Sequence, residues 1–149
     1  MFRLNRLTRI CLLVASTCSL TGCAFEREWQ AAQGYAWPEN ELAGCWEGTW
    51  HSNWNGHNGG LRAIITKLND DEYYARFHAT YMRVLTFGQA VNLQVKQDGT
   101  NFTFSGAADL GKTYGGVYTY EGNSSPEGFY STYKCSIDHG TFRMTRPKN

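Results

Sequence analysis

Five cysteines and four histidines carry most of the reactive potential of this 149-residue chain. Thiolates and imidazoles hold zinc when they recur at short spacings that converge on one ion. Here there is no Cys-x-x-Cys, and no two of His51, His57, His78 and His139 form a His-x-x-x-His pair. His51 and His57 flank a glycine-rich stretch, where histidine and asparagine ordinarily stabilise turns. His78 alternates with Arg76 and Thr80 and is expected on a solvated face. Asp138-His139-Gly140 reads as turn chemistry, because a catalytic dyad there would lack a nucleophile, and Asp70-Asp71-Glu72 reads as a solvated hairpin tip. The glycines at 56–60 and 115–116 do not lie between a strand and a helix, as a phosphate cradle requires. The expectation is a chain with no metal, no cofactor and no catalytic centre.

The thiol with the clearest chemical context is Cys23. Arg3, Arg6 and Arg9 precede an apolar run, Ile10–Leu20, which is about half the ~20 residues a membrane-spanning helix needs, so it reads as the core of an export signal. The run closes on Leu20-Thr21-Gly22-Cys23, which resembles the lipobox of bacterial lipoproteins. The resemblance implies cleavage before Cys23, diacylglyceryl transfer to its thiol and, often, acylation of the new amine. Residues 1–22 would then be a lipoprotein signal peptide, and the membrane would be a partner through the acyl chains. Two or three chains at ~0.8 kcal/mol per buried methylene hold far more tightly than one myristoyl group. Ala24 stands where lipoproteins retained at the inner membrane of many Gram-negative bacteria carry Asp, which implies the outer membrane, facing the periplasm, rather than the inner one.

Removal of the signal changes the charge. Arg3, Arg6 and Arg9 leave with no acidic residue, so fourteen basic residues become eleven against thirteen acidic ones, a net charge near −2. No basic patch suited to nucleic acid is evident. Cys11 and Cys18 leave as well, and Cys45 and Cys135 remain as a candidate disulfide in an oxidising compartment. Alternation places Cys45 outward and Cys135 inward, which argues against the bond, and the sequence leaves it open.

About 125 residues then remain for one domain. Residues 23–42 read as the lipidated N-terminus and a tether that becomes ordered near its end, with Trp29, Tyr35 and Trp37 either at the lipid headgroups or plugging the domain. From residue 43 to 149 the pattern is strand. Trp46 and Trp50 alternate with Cys45, Glu47 and Thr49. Tyr73, Phe77 and Tyr81 share one face of the third strand, and Val91, Leu93 and Val95 one face of the fourth, where Gly88 suggests a bend or bulge. Phe102 and Phe104, then Tyr118 and Tyr120, then Phe142 and Met144 repeat the pattern. Gln97-Asp98-Gly99-Thr100 is a hairpin turn, and 51–60 and 122–128 read as loops. Eight short antiparallel strands in succession predict an all-β, up-and-down barrel, closed because an open meander would expose its edges.

Gly44-Cys45-Trp46 at the start of the first strand is similar to the Gly-x-Trp opening of lipocalins and other calycins, and the terminal run from Gly140 to Arg146 resembles the last strand of such barrels. The resemblance implies a calycin-like barrel in which Arg143 or Arg146 packs across Trp46. It also implies a small apolar ligand, for which the lining candidates are Trp46, Trp50, Tyr73, Phe77, Tyr81, Phe102, Phe104, Tyr118, Tyr120 and Phe142. The same rings could instead fill the interior, since eight strands enclose a space only just wide enough for side chains or one small ligand. Two further readings stand beside carriage. One is a protein-binding module, resembling periplasmic lysozyme inhibitors, that acts through loops 51–60 and 122–128; the other is a structural envelope lipoprotein with a filled barrel.

Overall fold

Alternation every second residue from Gly44 to Thr145 is realised as eight antiparallel strands, which in the computed structural model, describing residues 22–38 and 40–148, close on themselves. They are β1 (Gly44–Ser52), β2 (Asn58–Lys67), β3 (Glu72–Tyr81), β4 (Leu85–Asp98), β5 (Asn101–Asp109), β6 (Val117–Ser125), β7 (Gly128–Lys134) and β8 (His139–Thr145). Each pairs with its neighbour in sequence, and β8 returns to β1 with Trp50 opposite Phe142. The chain is an all-β, closed, eight-stranded up-and-down barrel, and closure leaves no unpaired edge strand. The export segment up to Thr21 lies outside the described residues.

Up-and-down connectivity puts the β1–β2, β3–β4, β5–β6 and β7–β8 connections at one end, here the upper end. The chain enters β1 and leaves β8 at the lower end, beside the β2–β3, β4–β5 and β6–β7 turns. The β5–β6 connection carries a single 3-10 turn, Lys112–Tyr114. β4 is long because it serves two neighbours in succession. It pairs with β3 from Leu85 to Gln94 and with β5 from Leu93 to Asp98. The register passes through Gly88 opposite His78 without interruption, so no bulge interrupts β4 there.

Two segments expected as loops are largely strand, because their glycines serve close approach rather than turning. A Cβ at Gly122 would lie 2.6 Å from the Phe104 ring and against the Tyr130 carbonyl; a Cβ at Gly59 would lie 2.9 Å from the Trp50 indole nitrogen and against the Thr80 carbonyl. Bare backbone there lets an aromatic side chain cross the strand. The true connections shrink to residues 53–57 and 126–127.

Where a tether was expected, residues 22–33 form a helix, α1. Phe25, Trp29 and Ala32 recur at helical spacing and pack against Cys45 and Ile64 on the outer wall of β1 and β2. Glu26 pairs with Arg62 at 2.9 Å, and Glu28 pairs with Arg76, fixing the helix against β2 and β3. The folded body therefore begins before residue 43. Two expectations fall with it. His78 does point outward, but it is buried beneath the helix, with its imidazole 4.6 Å from the Phe25 ring and nearly parallel to it. Cys45 is buried under the same helix at the lower end, while Cys135 sits in the β7–β8 connection at the upper end. Both are free thiols. Seven or so residues of strand separate the two levels, about 20 Å at the rise of a strand, against the ~7 Å Cα limit for a disulfide. The candidate bond is excluded by geometry.

Candidate functional site

Cys23 lies in the first described turns of α1 and is exposed. Phe25, two residues on, is 3% exposed against the barrel wall. Arg62 lies over both rings of the helix, 5.5 Å from Phe25 and 5.1 Å from Trp29. Neither nitrogen of His78 has a hydrogen-bond partner, and burial, aided by the nearby Arg62 charge, pushes its imidazole below the usual value. The neutral ring is thus a packing surface for Phe25. The helix runs downward: Phe25 lies at the level of His78, Trp29 at that of Cys45 and Ile64, and Trp37 beside Gly44 at the lower end.

The ten ring-bearing candidates divide by height. Trp46, Tyr73, Phe77, Phe102, Phe104, Tyr120 and Phe142 are buried together in one core cluster, joined by Phe129, Tyr133 and Met144. Phe77 is their hub, with ring centroids 5.3 Å from Phe142, 6.1 Å from Tyr120 and 6.4 Å from Phe129. Phe104 stacks on Phe129 at 4.8 Å, and Tyr133 lies 5.1 Å from Phe142. At these distances the rings touch across the barrel axis. Trp50, Tyr81 and Tyr118 are only partly buried and stand nearer the upper end. Burial pushes the phenols of Tyr73, Tyr118, Tyr120 and Tyr133 above their usual value, so all four are neutral. Phe129 and Tyr133 were not singled out from the sequence, although β7's alternation of Phe129, Ser131 and Tyr133 carried the signal.

The lower end is closed by Arg146. Its guanidinium lies 3.9 Å above the Trp46 ring centroid and donates to the carbonyls of Glu41, Ala43 (3.1 Å) and Cys45 (3.3 Å). Trp46 Nε1 donates to the Leu42 carbonyl at 2.9 Å, and Tyr73 donates its hydroxyl proton to Glu41 at 2.6 Å. Of the two arginines offered by the sequence, Arg146 crosses the tryptophan, while Arg143 lies on the outer wall over Tyr130 at 4.7 Å. A cleft of about 530 Å³ opens beneath this girdle, between Trp37 and the β4–β5 and β6–β7 turns. Grooves of about 440 and 390 Å³ run along the outer wall.

At the upper end Ser52 Oγ donates to Asp138 at 2.6 Å, and the Tyr133 hydroxyl donates to the other carboxylate oxygen at 3.1 Å. Asp138 is therefore a latch joining β1 to the β7–β8 connection. His139 and Trp54 meet edge to face with centroids 6.2 Å apart, and His57 lies against Tyr81 at 4.7 Å. Among the described residues no three His, Cys, Asp or Glu side chains gather as a metal site would need, and no helix is long and apolar enough to cross a membrane. The two stretches considered for protein recognition, 51–60 and 122–128, lie at opposite ends and are mostly strand, so they do not form one surface. No family model matches the chain, and no curated protein or solved structure matches it at a significant level.

Proposed function

We propose that this protein is an envelope lipoprotein, acylated on Cys23, whose calycin-like barrel is a filled scaffold that works through its surface instead of carrying a ligand inside. The observation that carries this reading is the lattice of touching rings around Phe77, which occupies the axis of the barrel where a lipocalin-like ligand would sit. It favours the structural envelope lipoprotein over carriage, and what weighs against a loop-inserting inhibitor is that 51–60 and 122–128 lie at opposite ends of the barrel. The anchor half rests on Leu20-Thr21-Gly22-Cys23 and on the exposure of Cys23. The calycin likeness rests on Gly44-Cys45-Trp46 and on Arg146 lying across Trp46. Outer-membrane residence follows from Ala24 in the same way.

Expression of the full chain with an alkyne-bearing fatty acid tests the anchor. The expected product begins at Cys23, carries the label and pellets with membranes, while Cys23→Ala is unlabelled. An unacylated, freely soluble wild-type product overturns the anchored reading. Native mass spectrometry tests the scaffold half, and a small apolar molecule co-purifying with the wild-type barrel and lost on substitution of Phe77 overturns it.

A further inference from the structure

Most of the exposed large apolar residues of the barrel, though not Leu68 and Tyr74, lie toward its upper end. All four connections at the upper end present at least one: Trp54 between β1 and β2, Met82 and Val84 between β3 and β4 with Leu85 opening β4, Tyr114 between β5 and β6, and Ile137 between β7 and β8. Val84 is 79% exposed, and Trp54 and Met82 are each 69% exposed. The lower turns carry acids instead, Asp70 and Asp71, Asp98, and Glu127, with Leu68 as their one exposed large apolar side chain among the described residues. Exposed apolar side chains gathered on every loop at one pole of a small domain are a surface that expects an occupant.

The tip between β3 and β4 sharpens the point. Met82 and Arg83 both have positive φ, 51° and 63°, and Val84 N–H bonds back to the Tyr81 carbonyl at 3.3 Å. That conformation suits Asn-Gly and strains long side chains. Folding alone gives no reason to place methionine and arginine there. The register of β4 with β5 begins only at Leu93, so the Leu85 end of β4 is paired with β3 alone.

What covers this pole follows from the position of Cys23. Helix α1 descends the wall from Phe25 to Ala32, so Cys23 lies above the level of His78, three residues short of the top of β3. Only Ala24 separates it from the buried Phe25, a step of about 3 Å of helical rise. An acylated Cys23 has no slack with which to hold the barrel away from the bilayer. On the anchored reading above, we infer that the upper pole docks into the phospholipid leaflet that receives the acyl chains, with Trp54, Met82, Val84 and Leu85 entering the interfacial zone and Arg83 and Lys112 at the headgroups. Amphipathic aromatics, aliphatics and basic residues are the side chains that zone accepts, and the acidic lower turns face away from anionic lipid.

The test places the purified full chain on vesicles of phosphatidylethanolamine and phosphatidylglycerol whose acyl chains carry bromine, which quenches indole on contact. Wild-type emission is expected to fall, and Trp54→Phe is expected to lose most of that fall, since Trp29, Trp37 and Trp46 lie lower and Trp50 packs against the interior cluster. Val84→Glu with Leu85→Glu should abolish Trp54 quenching while the acylated protein still floats with the vesicles. If intact mass shows acyl chains on Cys23 but Trp54 is not quenched, the docking inference fails and the anchored reading stands. If the mass shows no acyl group, the anchored reading fails. The unacylated chain then decides the docking: flotation lost on Val84→Glu sustains the pole as a membrane surface, and no flotation overturns it. A concentration-dependent dimer dispersed by Leu85→Glu also overturns it, because a second copy would be the occupant.

Discussion

Arg146 shows how one side chain can close an end of a barrel. It stacks on Trp46 and satisfies three backbone carbonyls of the segment entering β1, which would otherwise face an apolar ring unpaired. Arg146→Ala is expected to destabilise the fold by about 3 kcal/mol, since hydrogen bonds from a charged donor are worth roughly 1.5–3 kcal/mol and their acceptors stay buried. Urea unfolding should show a lower midpoint at unchanged slope. Arg146→Lys should recover only part, because an ammonium lacks the planar fork. His78 makes a different kind of contribution. Its folded-state pKa is depressed, chiefly by burial and next by Arg62, with Glu26 opposing. As the pH falls through the ordinary imidazole value of about 6.5, the undocked state takes up a proton that the docked state refuses, so docking of α1 weakens on the acid side and is fully present above that value. The protection factors of the helix amides, which compare exchange with its intrinsic rate at each pH, should fall on acidification, and His78→Phe should remove that dependence.

Elements explain why α1 is bound but not part of the barrel's core. It touches the outer wall through a small cluster of its own, Phe25, Trp29, Cys45 and Ile64, separate from the interior cluster. Trp29→Ala should therefore release the helix and leave the sheet. Amide protection is expected to be lost across 22–33 and kept in β1 to β8, with a cost of about 3 kcal/mol, at the low end for a buried tryptophan because the cluster is small. Loss of protection throughout the barrel would show instead that helix and sheet fold as one unit. The strands themselves were legible from alternation. β3 and β8 present the residues the pattern assigned inward, and the Gln97–Thr100 turn lies where glycine chemistry put it. Strand ends containing glycine were not legible, because Gly59 and Gly122 look like loop residues until the rings they accommodate are seen.

At the scale of the whole molecule the aromatic content is structural before it is anything else. Phe77 contacts Tyr120, Phe129 and Phe142 at the axis, and Phe77→Ala is expected to cost about 3–5 kcal/mol, the range for large-to-small changes in a close-packed core. The change should leave a dry cavity that takes up a small apolar probe, whereas the parent barrel takes up none. Thermal unfolding with and without the probe measures both. Polarity along the barrel axis adds a direction to this architecture, with Arg146 and acidic turns at one pole and bare apolar loops at the other.

The sequence by itself determined the barrel and the inward register of its rings, because side-chain period and turn chemistry are local properties. Only the tertiary structure decided that α1 covers His78 and Cys45, that Cys45 and Cys135 stand at opposite ends, and that four separate loops share one apolar pole. These depend on which distant surfaces closure brings together, and alternation along a strand marks a residue as outward without saying what lies over it.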